Sequence, residues 1–176
     1  MRKMKVATIW LDGCSGCHMS LLDLDTAVIS VARKIELVYG PLVDAHEFPE
    51  EVDVTFIEGA VSTDEDIEKV QQIRQSSKLV VSLGDCAVTG NVAAMRNTVP
   101  VKKLLQSVYV EKSDRDAAIP GENLPQLAPH CRPVQDFVKI DVSVPGCPPA
   151  SKVIGEVLEN LLSDRKPEAA MKLKFG

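Results

Sequence analysis

Apolar residues recur along this chain in short runs that stop at glycine, and between the runs they recur at helical spacing. Lys5 to Leu11 (KVATIWL) is a compact run of strand formers ending at Asp12-Gly13. From His18 to Arg33, Leu21, Leu22, Leu24, Ala27, Val28, Val31 and Ala32 repeat with the period of a helix that buries one face. Glu36 to Val43 predicts a second strand, and Gly40-Pro41 assigns it to a sheet edge, where a missing N–H costs least. Val52 to Glu58 predicts a third. Ser62-Thr63-Asp64 then offers helix caps, with Glu65, Asp66 and Glu68 near the first turn and Ile67, Val70 and Ile73 behind them. Lys78 to Leu83 is nearly unbroken apolar sequence, the pattern of a strand covered on both faces. Gly84 ends it, and Ala87 to Arg96 predicts a short helix. Lys139 to Val144 is the fifth strand. Pro148-Pro149 opens a last helix from Ala150 to Leu162, at a point where the amides have no intrahelical partner and proline is tolerated.

Strand and helix thus alternate five times, which predicts an α/β fold with a five-stranded parallel sheet and helices on both faces. The stretch 98–137 breaks the alternation. Val101 to Val110 can form a helix with Leu104, Leu105 and Val108 on one side, after which Pro120, Pro125, Pro129 and Pro133 interrupt any regular element. So long and irregular a connection is expected to serve function or a partner. In the tail, Lys166 to Gly176, Met171, Leu173 and Phe175 alternate with lysines, a pattern suited either to a strand laid against another subunit or to a frayed end. At 176 residues, 1–176 is expected to be a single domain with 98–137 as an insertion.

Composition narrows the function. Apolar residues make up 45% and charged ones 26%, ordinary for a globular chain. The formal charge of −5 argues against nucleic acid or an anionic membrane as the main partner. Met1-Arg-Lys-Met-Lys5 is basic, but the apolar run behind it stops at Leu11, too short for a secretory core. No apolar run of about 18 residues occurs, so no membrane insertion and a cytoplasmic location are expected. Five cysteines in such a setting point to metal or redox chemistry rather than a disulfide framework.

Their positions carry the main inference. Ligands of an open parallel sheet bind beyond the carboxyl ends of its strands. Cys14 and Cys17 follow the first predicted strand, Cys86 the fourth and Cys147 the fifth. Three loops far apart in sequence therefore bring four thiols to one rim. Glycines flank each of them (Gly13, Gly16, Gly84, Gly90, Gly146), permitting tight turns around a bulky inorganic centre. Helix starts after Cys17, Cys86 and Cys147 are expected to lower the thiol pKa values. Four thiolates suit zinc or an iron–sulfur cluster. A centre wider than one ion better fits ligands drawn from three loops, and a 4Fe–4S cluster is the favoured reading. Glu58 closes the third strand at the same rim, as a proton relay, a cluster neighbour or a capping carboxylate. Asp12 and Asp85 sit beside cysteines and share that ambiguity. His18 either hydrogen-bonds a cluster sulfur or begins a helix; His46 is expected to be solvated. Cys131, in His130-Cys131-Arg132-Pro133, lies away from the predicted strand ends and is expected to be a packed or surface thiol, with a fifth ligand or a redox sensor as the other reading.

Cys14-Ser-Gly-Cys17, Gly84-Asp-Cys86-Ala-Val-Thr-Gly90 and Pro145-Gly-Cys147-Pro-Pro149, in that order, resemble the small subunit of nickel–iron hydrogenases. The resemblance is strongest to the cytoplasmic NAD-reducing, bidirectional type. It implies a flavodoxin-like domain in which Cys14, Cys17, Cys86 and Cys147 hold the proximal 4Fe–4S cluster, with Glu58 close by. That cluster would face the nickel–iron centre of a separate large subunit. Electrons would leave to diaphorase subunits bearing flavin (FMN), iron–sulfur clusters and NAD, with no catalytic residue in this chain. Periplasmic uptake enzymes add a twin-arginine leader and further clusters; no such leader is expected here, and because no cysteine follows Cys147 a single cluster is expected. The cluster-bearing subunit of respiratory complex I is a relative with adjacent cysteines where this chain separates Cys14 from Cys17. FMN bound to this chain is a weaker expectation, because Gly13-Cys-Ser-Gly16 is better explained by the cluster than by a phosphate. A zinc-stabilised adaptor without redox activity, and a dithiol oxidoreductase using Cys14 and Cys17, are the readings from other classes.

Overall fold

A computed structural model of the chain describes residues 2–25, 27–115 and 117–163, so the expectation for 166–176 lies outside the described residues. In chain order the first half runs β1 (Met4–Trp10), α1 (Gly16–Leu22), α2 (Ala27–Ala32), β2 (Ile35–Tyr39), β3 (Val52–Glu58) and β4 (Val61–Thr63). α3 (Asp64–Ser76), β5 (Ser77–Leu83), α4 (Asp85–Thr89) and α5 (Val101–Gln106) follow. The chain then forms β6 (Leu127–Arg132), β7 (Val142–Val144) and α6 (Ser151–Leu162).

The five predicted strands form one sheet in the order β2-β1-β3-β5-β7, every neighbouring pair parallel. Registry decides where the loops leave. Trp10 lies opposite Glu58, Glu58 opposite Leu83, and Leu83 opposite Val144. Four strands therefore end in one row, and the loops after β1, β3, β5 and β7 share a rim. Side chains alternate across the sheet as the pleat requires. Val6, Val54, Phe56, Val81 and Val144 pack against Val31 of α2 and Ile154, Val157 and Leu158 of α6. On the opposite face Ile9, Ile57 and Val80 meet Val70 and Ile73 of α3 and Ala87 of α4. α3 starts where its caps predict: the Asp66 N–H donates to Thr63 Oγ1 at 3.1 Å, and the Asp66 carboxylate accepts from the Thr63 N–H at 3.0 Å.

The structure departs from expectation between the strands. The helix predicted over 18–33 is two helices, broken by a turn in which Asp25 takes a positive φ of 54°. The helix predicted over 87–96 is α4 followed by a separate 3-10 turn, Ala93–Thr98, because Gly90 and Asn91 are both left-handed (φ 86° and 36°) and end the helix between them. β7 keeps only the last three residues of its predicted run. The connection 98–137 is more ordered than its prolines suggest. α5 continues as a π-helical turn over Ser107–Glu111, and β6 pairs antiparallel with β4 in a second, two-stranded sheet. Arg96 donates to the carbonyls of Ser62 and Ala128, both at 3.0 Å, so it bridges the two strands. Asn97 clamps the Cys131 backbone on both sides, donating to its carbonyl and accepting from its N–H, each at 2.7 Å.

Candidate metal centre

All four predicted ligand thiols lie on the rim made by the strand ends. Cys14 lies in the loop after β1, Cys17 is the second residue of α1, Cys86 the second of α4, and Cys147 stands between β7 and α6. Cys17 is buried, Cys86 half-buried, and Cys14 and Cys147 exposed, so the group opens from the core to the surface. Glycine makes the approach possible. Gly84 adopts φ +83°, and a Cβ there would lie 2.2 Å from Cys17 Sγ; at Gly16 it would lie 3.2 Å from Cys14 Sγ. Asp85 joins two of the loops: its Oδ1 accepts from the Gly146 N–H at 2.7 Å, and its own N–H donates to the Gly146 carbonyl at 2.9 Å. The Ser20 hydroxyl donates to the Pro149 carbonyl and ties α1 to the Cys147 loop. The Cys147–Pro148 peptide is cis.

Glu58 sits under this rim, 2% exposed. Its carboxylate accepts from the Cys17 N–H at 3.2 Å and the His18 N–H at 2.9 Å, and it is hydrogen-bonded to His18 Nδ1. Burial pushes Glu58 up, but these hydrogen bonds outweigh it and hold the carboxyl below its ordinary range. His18, left open by the sequence, is thus a buried partner of Glu58; its Nε2 is buried with no partner. Asp12 pairs with Ala60 through backbone alone. His46 and His130 are exposed.

Electrostatics correct one expectation. Cys17 and Cys86 are not held low by their helix starts. Burial, then repulsion by Glu58 and by the other three thiols, raises Cys17 far above the ordinary thiol range. Burial, then Cys147, raises Cys86 as well, against a hydrogen bond from the Ala93 N–H. Cys17 and Cys86 lie one residue inside their helices, which are short, and burial, with repulsion from neighbouring groups behind it, prevails. Four thiols and a carboxylate gathered this closely favour positive charge among them. The donor set and the space left by Gly84 fit an inorganic centre ligated by sulfur. Among the described residues no group of three or more His, Cys, Asp or Glu stands at the spacing of a single metal ion. Cys131 lies on β6, buried, its thiol pushed up to about 11 by burial first and Asp12 next, a packed thiol as expected.

Comparison with known proteins now bears on the chain. The family described as NADH ubiquinone oxidoreductase, 20 Kd subunit, matches residues 14–161, from the first of the clustered cysteines to the last turn of α6. This chain belongs to that family. Within the 20 Kd subunit family its similar relatives are components of hydrogenases. The chain is 37% identical over 172 residues to a component of the F420-non-reducing hydrogenase vhu of Methanocaldococcus jannaschii, covering 97% of this chain and 60% of that one. It is 37% identical over 171 residues to the delta subunit of the NAD-reducing hydrogenase HoxS of Cupriavidus necator, covering 93% and 80%. The chain therefore spans less than two thirds of the first of these relatives. A chain in the crystal structure of an NAD+-reducing [NiFe]-hydrogenase in the H2-reduced state superposes with a TM-score of 0.90 at 36% identity, covering 94% of each. A [NiFeSe]-hydrogenase of Dm. baculatum superposes at 0.63 with 20% identity and shares the fold.

Two features of the site are absent from the sequence reading. Asn91 donates from Nδ2 to Cys147 Sγ at 3.5 Å, and the Ala93 N–H reaches Cys86. The dipeptide Gly90-Asn91 was the available signal, since both residues favour left-handed turns. Around these donors Val92 and Met95 are 63% and 68% exposed, an apolar surface beside exposed thiols. Among the described residues no helix is long and apolar enough to cross a membrane.

Proposed function

We propose that this chain is the electron-transfer small subunit of an NAD-reducing nickel–iron hydrogenase, and that Cys14, Cys17, Cys86 and Cys147 hold one 4Fe–4S cluster. The observation that carries the reading is the meeting of four thiols from three distant loops on one rim of a fold that superposes at 0.90 on a chain of an NAD+-reducing [NiFe]-hydrogenase. When bound, such a cluster supplies one-electron transfer at a potential set by its charge, hydrogen bonds and exposure. Ligands drawn from three separate loops suit a centre wider than one ion better than zinc.

The chain's own residues shape that centre. Cys17 ligates from the buried side and Cys14 and Cys147 from the open side, so one edge of the centre faces a partner. Glu58 and His18 fix the amides at the start of α1 and hold Cys17 in place; buried as it is, Glu58 serves as a neighbour of the centre. Val92 and Met95 exclude water where the partner docks. That partner is a large subunit bearing the nickel–iron site, and diaphorase subunits with FMN and iron–sulfur clusters carry NAD. The overall reaction is H2 + NAD+ to NADH + H+, reversible. Because the relative from the F420-non-reducing hydrogenase is equally identical at 37%, an acceptor other than NAD is the second reading.

The test is purification under anaerobic conditions with whatever chains accompany this one. A brown chain with about four irons and four sulfides, absorbing near 400 nm and bleached by dithionite, is expected. Cys86→Ser is expected to lose iron and to abolish hydrogen-dependent NAD reduction. A colourless zinc protein, or a Cys86→Ser complex with full activity, overturns the proposal. Hydrogen oxidation with no NAD-binding flavoprotein in the complex selects the second reading.

A further inference from the structure

We propose that Asn91 is a hydrogen-bond donor to Cys147 that raises the reduction potential of the centre, and that the left-handed Gly90-Asn91 pair exists to present it. The inference rests on the cluster reading above and adds a potential-setting residue to it.

Three observations carry it. The Asn91 side-chain amide stands 3.5 Å from Cys147 Sγ, within hydrogen-bond range for sulfur. Asn91 also holds a φ of 36°, a left-handed conformation costly for any residue with a Cβ and least so for asparagine. A turn alone is served better by glycine, and Gly90 already stands beside it with φ 86°. The side chain at 91 is therefore what the strained position supplies. Third, the segment is anchored. The next residues form the 3-10 turn whose Ala93 N–H reaches Cys86, and whose Arg96 and Asn97 are tied to the carbonyls of Ser62, Ala128 and Cys131. The amide is thus held in place rather than drawn to the sulfur from solution.

The consequence follows from charge. Reduction adds one electron to the centre and spreads negative charge onto its thiolate sulfurs. The positive end of the Asn91 N–H dipole stabilises that charge more in the reduced form than in the oxidised one, so the potential rises. The N–H bond stays intact and no proton moves. Cys147 is exposed, so water screens part of the effect.

Two variants separate this role from a structural one. Asn91→Gly keeps the left-handed backbone at lower cost and deletes the donor. Asn91→Asp keeps the shape and replaces the donor with a carboxylate. The full chain, reconstituted anaerobically with iron and sulfide, is titrated with dithionite and mediators while absorbance near 400 nm is followed. Asn91→Gly is expected to match or exceed the parent in urea stability while becoming about tenfold harder to reduce, which for a one-electron couple is about 59 mV lower. Asn91→Asp is expected to lie lower still. An Asn91→Gly chain with its cluster intact and the parent's potential overturns the proposal and leaves the cluster reading standing. A parent chain that takes up no iron and sulfide overturns both.

Discussion

Strand β3 carries a carboxylate near each end, and the two are used differently. Asp53, its second residue, faces the amino-terminal edge of the sheet with its side chain 18% exposed. It accepts from Lys78 Nζ at 2.7 Å, from the Lys5 N–H at 2.8 Å and from Arg2 at 3.5 Å. Glu58, its last residue, is buried under the cysteine rim and is satisfied by two amides and one imidazole. At the first end water competes for every group, so the ion pairs add little. At the second no water replaces a lost partner, so each bond is needed. One edge of the sheet is laced with replaceable surface pairs, and the other is a site whose geometry is held by groups with no alternative.

Substitutions can break that contrast. The largest effect is expected from Gly84→Ala. Gly84 combines φ 83° with an extended ψ of 162°, where any residue with a Cβ costs about 1–3 kcal/mol, and an alanine Cβ would overlap Cys17 Sγ, 2.2 Å away. Loss of the folded, iron-holding chain is expected by urea denaturation and iron assay. Gly121→Ala, with nothing within 4 Å of the added Cβ, is expected to change stability by no more than about 0.5 kcal/mol. Equal behaviour of the two would mean that the rim is not packed as described.

Glu58→Ala comes next. It orphans two buried amides and the His18 ring, at an expected cost of about 3–5 kcal/mol, whereas Glu58→Gln keeps an acceptor and is expected to cost about 1–3 kcal/mol. Shifts in urea midpoint measure both, and a Glu58→Ala chain as stable as its parent would contradict the burial of this carboxylate.

A smaller effect than that of Glu58→Ala is expected from Asp53→Ala, about 1 kcal/mol and diminished by salt, unlike the Glu58 effect. Its signature is pH. Partial burial pushes Asp53 up, but the hydrogen bonds and charges of Lys78, Lys5 and Arg2 outweigh it and leave the folded-state pKa below the ordinary 3.8. A depressed carboxyl contributes stability that is complete above its unfolded value and is lost as pH falls through the folded one. Asp141, held below 3.8 by the Val80 N–H and Arg74 despite partial burial, behaves alike at the same edge of the sheet. Stability measured from neutral pH into acid is therefore expected to decline below about pH 4, less steeply in Asp53→Ala than in the parent. Identical acid limbs would remove Asp53 from the account.

Much of this was legible before any coordinates. The strands at Val52–Glu58 and Ser77–Leu83 are apolar runs with clear ends, and the helix at Asp64–Ser76 announces its cap in Thr63 and Asp66. The placement of Cys14, Cys17, Cys86 and Cys147 at strand ends needs only those boundaries and the rule that parallel strands point one way. Less legible was what depends on pairing at long range. β6 contains Pro129 and reads as a loop; only the partner β4, more than sixty residues earlier, makes it a strand. Nothing in the spacing of Glu58 and His18 announces their hydrogen bond across forty residues.

By itself the sequence determined where along the fold the four thiols fall, because glycine after an apolar run both ends a strand and frees the space a sulfur needs. Tertiary structure alone decided how those sulfurs are served: registry levels Trp10, Glu58, Leu83 and Val144 in one row, and a left-handed turn swings Asn91 onto Cys147. The physical reason is range. Local pattern reports the conformational preference of neighbours in the chain, whereas burial of Glu58 and the reach of an amide to a sulfur exist only once strands distant in sequence lie side by side.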